Sequence, residues 1–518
     1  MAKNILIFSD GTGMAGGITF DEDRTNIYKL YRATRCGPDS CIHPDQQVAF
    51  YDPGLGSPAD GGFIFGKAGR WFYNLIAQAT GLGITANIID CYAALIRLYR
   101  DGDRVFLFGF SRGAYTVRCL GAVIALCGVP RHLPDGKPLP LDVAGSRALA
   151  TEAVSNVYQF CSSKPRKTPC SYRDFMLNTR LAIATRFRQQ HGCADPSNVL
   201  KANVYPYFIG VFDTVAALSR PGAVVGLVAI SAAVIAAVSY AASLFTGLSG
   251  AAGFHWLAEL TFPHVATLLY GAAIAGFLLA YIGNYLKFDL HVPGYSWWKS
   301  LLTIHFAPPK HTFTDYTLNV NVSYAKHAIS IDEDRKDFTR VIWIPDDTKV
   351  NTRDNDANLY FEQVWFSGVH ADIGGGYTEN ESRLSDVTLG WMLAAASLVP
   401  DGITFDPSVL KGYPDAGGPQ HDECKAGHWQ KGIRDLPAGD DHLSRAIMHR
   451  SVYQRFEAGQ VVLYDRLGLY RPSNLACHVD FQHYYDGSKK APSEPQCVAD
   501  SVEQRWLKRQ GDFMEGKH

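Results

Sequence analysis

Hydrophobic positions along this chain fall into two kinds of run. The first kind has strand length and occurs at Asn4–Phe8, Val105–Phe110, Tyr207–Phe212 and Val364–Val369, each ending in a polar or glycine-bearing turn. A helical pattern follows the second run, from Arg112 to about Cys127. Residues 130–200 read as a helical insertion between strands, part of a cap over a site. Another helix is expected from Ser385 to about Leu398, with Ser385 or Asp386 as its N-cap. Residues 352–357 and the Gly/Pro/Asp-rich stretch 400–440 read as loops, and a helix is expected near Arg445–Phe456 within a mixed tail.

The second kind of run is longer. Gly222 to Leu248 holds no charged residue, and after a connection with His255, Trp256 and Glu259 a second apolar run extends from about Leu260 to Leu286. Each exceeds the ~20 residues that cross a bilayer core as a helix. Arg220 and Lys287 flank a stretch without Lys or Arg. This predicts a transmembrane hairpin with both flanks, and the domain they carry, on the cytoplasmic side. Gly226, Ala232, Ala233, Ala236 and Ala237 suit close helix packing in lipid. Two buried helices of a soluble core, or a lid that inserts on meeting lipid, are the alternatives. Trp297 and Trp298 beside Lys299 fit either the headgroup zone or an aromatic loop packed on the core. Met1-Ala2-Lys3 runs straight into the first strand with no signal-peptide pattern, so a multi-pass membrane protein is expected.

Composition narrows the function classes. With 518 residues, 47% hydrophobic and a formal net charge of -1, the chain can bury a large core but has no basic field for a nucleic acid. The 11 cysteines are odd in number and scattered; Cys91, Cys119 and Cys127 fall in apolar segments, as buried reduced thiols do. No Cys-x-x-Cys pair or His-Glu-x-x-His helix points to zinc, and neither metal nor cofactor is expected. Asp10, Asp213 and Asp372 all follow strands, which leaves a shared cation as a minor reading.

Candidate chemistry centres on Gly109-Phe110-Ser111-Arg112-Gly113. Strand before, helix after and glycine two residues either side of a serine make the layout of a nucleophile elbow, in which the glycines let backbones pass too closely for a Cβ. The plain alternative is a glycine-rich turn with a capping serine. A serine hydroxyl needs a base and a group to orient that base. His370 ends a strand ahead of Gly374-Gly375-Gly376 and is the candidate base among 17 histidines. Asp213, at the end of Tyr207–Phe212, is the candidate acid; helix capping is its alternative role, and Asp372 is the rival acid. An oxyanion hole would use the N–H of Arg112, the residue after the nucleophile, and one from Gly11 or Thr12 in the loop after the first strand. An ordinary Asp-Gly turn is the alternative there.

Several collinear segments together resemble the type VI secretion phospholipase effectors and the wider α/β-hydrolase domain family containing them. They are Leu6–Gly13, Tyr51–Gly56, Ala79–Ile84, Gly109–Arg118, Gly210–Val215, His327–Glu333 and Trp365–Tyr377. The resemblance implies an α/β-hydrolase fold, with Ser111 as nucleophile, Asp213 as acid and His370 as base, and hydrolysis of glycerophospholipid esters. The expected organisation is a hydrolase domain in two parts, 1–220 and 287–400, interrupted by a transmembrane hairpin at 221–286 and followed by a tail at 401–518. The expected partners are a lipid bilayer and a lipid acyl-ester substrate, with an immunity-type protein as a further candidate. A membrane-tethered esterase or thioesterase for a soluble substrate, and a catalytically silent binding module, are the competing functions.

Overall fold

The computed structural model describes residues 2–11, 23–54, 82–162, 170–215, 262–307, 316–336, 338, 340–426, 430–436 and 446–487, with isolated positions between 232 and 244 and at 505. Seven strands form one sheet: β1 (Asn4–Ser9), β2 (Gln47–Asp52), β3 (Arg104–Phe110), β4 (Pro206–Phe212), β5 (Tyr324–Ser330), β6 (Phe361–Phe366) and β7 (Ile447–Met448). Their order is β7-β6-β5-β4-β3-β1-β2, and every neighbouring pair is parallel. The α/β class expected from the sequence is therefore present.

The strands are apolar on both faces because both faces are covered. Ile5, Ile7, Val105, Leu107, Ile209 and Val211 join one core cluster with the helices Leu82–Leu98 and Arg112–Cys127. The alternate residues Leu6, Phe8, Phe106, Phe108, Phe208 and Phe212 join another with the helices Asn26–Thr34 and Arg383–Leu398. The connection leaving β1 thus covers one face, and the helix after β3 covers the other. The strand order also reverses between β1 and β3. Such a switch point opens a crevice beyond the carboxyl ends of the two strands.

The strand and helix positions read from the pattern lie close to those observed. The helix after the elbow spans Arg112–Cys127, and the later helix begins at Arg383, two residues ahead of Ser385, with Ser382 as N-cap and no side-chain cap bond. The stretch expected as part of a cap forms an outer layer on the first face. Leu149, Val154, Met176, Ile183 and Phe187, from its helices Val143–Thr151 and Ser171–Gln190 and the π-helical turn between them, enter that cluster. Residues beyond 400 supply β7 and a third cluster, in which Met448, Val452, Phe456 and Tyr470 pack with Trp365 of β6. Cys91, Cys119 and Cys127 are buried free thiols.

The pair of membrane-crossing helices expected over 221–286 is not supported. Among the described residues one helix, Phe262–Tyr285, is long and apolar enough to cross a membrane. Its 18-residue window Ala266–Gly283 has a mean hydropathy of 1.8 and none of it is buried in the protein. Most of the first apolar run lies outside the described residues. Where it is described, Ala232 accepts a hydrogen bond at its carbonyl from Tyr270 Oη of the second, at 3.1 Å.

Candidate active site

Strand β3 gives way at Ser111, which has φ 57° and ψ -118°, and the helix starts at the next residue. A non-glycine residue held there costs on the order of 1–3 kcal/mol, so its surroundings must impose it. The Ser111 amide donates to Phe212 O of β4 at 3.1 Å. A Cβ on Gly109 would sit 2.4 Å from Gly113 O, and one on Gly113 would sit 1.9 Å from Ser9 O of β1. Both flanking glycines are therefore fixed by steric necessity. The Ser111 side chain makes no capping bond to the helix behind it and is half-exposed, unlike an ordinary capping serine.

Asp213 follows β4 with φ 31°, and its amide donates to Ala328 O of β5 at 2.7 Å. His370 opens the short helix His370–Gly374 after β6. The structure brings these two together: His370 Nδ1 lies 2.6 Å from Asp213 Oδ2. An ionised carboxylate only accepts, so Nδ1 carries a proton, and in the neutral imidazole Nε2 then presents a lone pair. That Nε2 is buried with no hydrogen-bond partner among the described residues, so it makes no bond to Ser111. Catalytic hydrogen bonds in unliganded enzymes commonly tighten only around substrate. The imidazole lies between the Phe110 and Phe338 rings, with centroids at 4.6 and 5.2 Å. The backbone reaches this position because position 374 is glycine; a Cβ there would lie 2.0 Å from the Phe110 ring.

Three charged residues that the sequence reading did not single out complete the surroundings. Arg434 donates from Nη1 to Asp213 Oδ1 at 2.6 Å and from Nη2 to Oδ2 at 3.2 Å, while the Ser330 amide donates to Oδ1 at 3.0 Å. Burial alone would raise the Asp213 carboxyl, but the Arg434 charge and the His370 hydrogen bond hold it well below the usual carboxylate range. The His370 amide donates to Glu333 Oε2 at 3.0 Å, and Arg335 forks onto Glu333 at 2.6 and 2.9 Å. Burial likewise opposes ionisation of Glu333, and Arg335 overcomes it. Glu333 ends one of the segments that carry the resemblance, a signal that could have marked it. Arg434 lies in a stretch with no periodicity, 221 residues from Asp213.

Asp372, the rival acid, has other partners than the His370 ring. Its Oδ2 accepts from the Val369 amide at 3.0 Å, as in a capping box, and its Oδ1 lies 2.7 Å from His421 Nδ1. Burial would lower the His421 imidazole, but the Asp372 hydrogen bond and charge raise it. Asp372 thus builds the helix that carries His370 without orienting its ring.

The loop after β1 abuts the elbow: a Cβ on Gly11 would be 3.6 Å from Ser111 Cβ. Yet the Gly11 amide donates to Asp10 Oδ1 at 2.7 Å, so in this state it is not offered to an oxyanion. Thr12 lies outside the described residues. Burial pushes the Asp10 carboxyl up to about 6, against the lowering effect of hydrogen bonds from Thr25, Gly11 and Tyr51. Asp10, Asp213 and Asp372 each have separate polar partners and do not converge on one cation position.

Comparison with known proteins places this geometry in context. The chain is 22% identical over 457 residues to an uncharacterized protein of Saccharomyces cerevisiae, YEL023C; the match spans 79% of this chain and 59% of that protein. Two solved structures are similar at 14% identity. One is an uncharacterized protein from Pseudomonas aeruginosa (TM-score 0.31, covering 79% of this chain and 47% of that one). The other is the Tle1 effector bound to the VgrG spike of the type 6 secretion system (TM-score 0.25, 74% and 53%). The chain spans about three fifths or less of the length of each. A family model described as the catalytic domain of Tle1-like type VI secretion phospholipase effectors matches residues 3–242 and 291–395, well over half of the sequence, and the chain belongs to that family.

Proposed function

We propose that this protein is a serine hydrolase that cleaves acyl ester bonds of phospholipids or related lipids, as a phospholipase A does, beside a membrane. The observation that carries the reading is the Asp213–His370 pair, 2.6 Å apart, with Asp213 at the end of β4, the strand that pairs with β3 and its strained serine elbow. The chain order Ser111, Asp213, His370 on a parallel sheet is that of an α/β-hydrolase. Family membership supports a lipid ester as the substrate.

In this mechanism Ser111 Oγ attacks the acyl carbonyl while His370 Nε2 takes its proton. Asp213 keeps the proton of the other nitrogen at Nδ1 and stabilises the imidazolium that forms. The carbonyl oxygen gains its negative charge beside the Arg112 amide. That amide belongs to the residue after the nucleophile, at the start of the helix Arg112–Cys127. The Asp10–Thr12 loop supplies the second donor, which requires Gly11 to release Asp10 or Thr12 to serve instead. The imidazolium returns its proton to the leaving alcohol, and water attacks the acyl-enzyme by the reverse proton path. The exposed apolar helix Phe262–Tyr285 would hold the site next to an insoluble substrate.

The test is fatty-acid release from mixed phospholipid vesicles by the detergent-purified protein, wild type beside Ser111→Ala. The proposal expects release that is lost in the variant by several powers of ten. Hydrolysis of short soluble esters without release from vesicles would instead favour a tethered esterase. Equal rates in the two proteins would remove Ser111 from the mechanism.

A further inference from the structure

We propose that Arg434, contributed by chain beyond the matched catalytic domain, is a positioning residue of the catalytic site: its guanidinium clamps the Asp213 carboxylate in the orientation that receives His370 Nδ1–H. This rests on the reading of Asp213 and His370 as acid and base. The family match ends at residue 395, well before the segment 430–436.

The geometry argues for a clamp on the acid. Asp213 stands at a strand end with positive φ, where one more rotation about its side chain would turn Oδ2 away from the imidazole. Oδ1 takes the Ser330 amide and Arg434 Nη1, and Oδ2 takes His370 Nδ1 and Arg434 Nη2. Two parallel N–H groups on one planar fork fix both position and plane, which a lysine ammonium cannot do. The guanidinium is itself tied down: Nη1 also donates to Ser330 O at 3.1 Å and Nη2 to Phe338 O at 3.0 Å. Phe338 in turn packs its ring edgewise on His370. Asn474 Nδ2 donates to both Arg434 O and Ile331 O, which pins the segment to the exit of β5. One residue therefore touches the acid, the strand end beside it and the aromatic that flanks the base.

A role in stability alone would be a weak reason for this arrangement, since buried ion pairs often stabilise no better than apolar residues of the same volume. The orientation of Asp213 is what an apolar replacement would lose.

The experiment compares full-length wild type with Arg434→Met and Arg434→Lys, measuring KM and kcat per serine titrated by a fluorophosphonate. Misplacing a catalytic group by about 1 Å can cost on the order of a hundredfold. Arg434→Met is therefore expected to lose about that much in kcat at unchanged KM, and Arg434→Lys to recover part of it. A purely structural arginine would lower the titratable fraction or the melting temperature but leave kcat per titrated site at the wild-type value, and that result overturns the proposal. If Arg434→Met does not fold, Arg434→Lys decides alone: wild-type kcat per site overturns the clamp, and reduced kcat at unchanged KM supports it. Failure of the underlying reading looks different, because wild type would then resist the fluorophosphonate and Ser111→Ala would keep its activity.

Discussion

At Asp213 and Asp372 two carboxylates lie near one histidine loop and take different work from their surroundings. Asp213 points into the ring side of His370 and is neutralised by Arg434, whereas Asp372 points back at the Val369 amide and out to His421. Replacing Asp213 by Asn is expected to lower kcat about 10⁴-fold, as loss of the acid's tautomer control does elsewhere. Asp372→Asn should cost less than about tenfold in kcat, together with about 1 kcal/mol of stability from the weakened cap. Steady-state kinetics and thermal melts of the two variants check this, and a reversed ranking would restore Asp372 as the acid. Asp10 carries a separate pH signature. Its folded-state value of about 6 exceeds the ordinary 3.8, so the native state binds the extra proton and stability falls as pH rises between about 4 and 6. The loss is about 3 kcal/mol in order of magnitude. Asp10→Asn removes that slope. Calorimetry at pH 4 and pH 7 should therefore find the variant gaining on wild type at the higher pH; a gap that stays constant would contradict the placement of Asp10.

The elbow and the strand before it depend on three backbones passing at van der Waals limits. Gly113→Ala would drive a Cβ into Ser9 O, and is expected to destabilise the protein by about 4 kcal/mol or more. Gly102→Ala is the control: it has φ +92° but open space around it, so only the backbone strain of about 1–2 kcal/mol applies. Denaturant melts of the two variants measure the difference. Elements of this kind were legible in the sequence because their constraints are local. The apolar run Val105–Phe110, the two glycines and the helical pattern to Cys127 all lie within one stretch of chain. The strands before Asp213 and His370 were legible for the same reason. What escaped was fixed by distant contacts. Strand β7 has two residues, Ile447 and Met448, too few to show a pattern, and its pairing with β6 is dictated by the third core cluster. Arg434 and His421 sit in loops whose composition says only that they are loops. The Gly11 amide is expected in the oxyanion hole because its loop follows the first strand, but which way its N–H points is set by the buried Asp10 carboxylate.

The whole molecule combines a buried parallel sheet with an apolar helix whose window Ala266–Gly283 is not buried among the described residues. Helix Phe262–Tyr285 has 24 residues, about 36 Å at roughly 1.5 Å each, enough to span a hydrocarbon core of about 30 Å. Leu278 and Leu279 lie exposed along it. Replacing both by Asp should weaken binding to phospholipid vesicles by on the order of a hundredfold or more, given about 3 kcal/mol for each charge at mid-membrane. Hydrolysis of a short soluble ester should stay unchanged; co-flotation with vesicles and a spectrophotometric ester assay read the two effects separately, and undiminished flotation would contradict a membrane role for this helix. The central claim, however, is that one serine, activated by one histidine, does the chemistry. The most direct test is to treat the detergent-purified protein with a fluorophosphonate and map the adduct by peptide mass spectrometry in wild type and in His370→Ala. The account predicts a single adduct on the peptide containing Ser111, formed at least a thousandfold more slowly in His370→Ala. An adduct on another residue, or one on Ser111 that forms equally fast without His370, would contradict it.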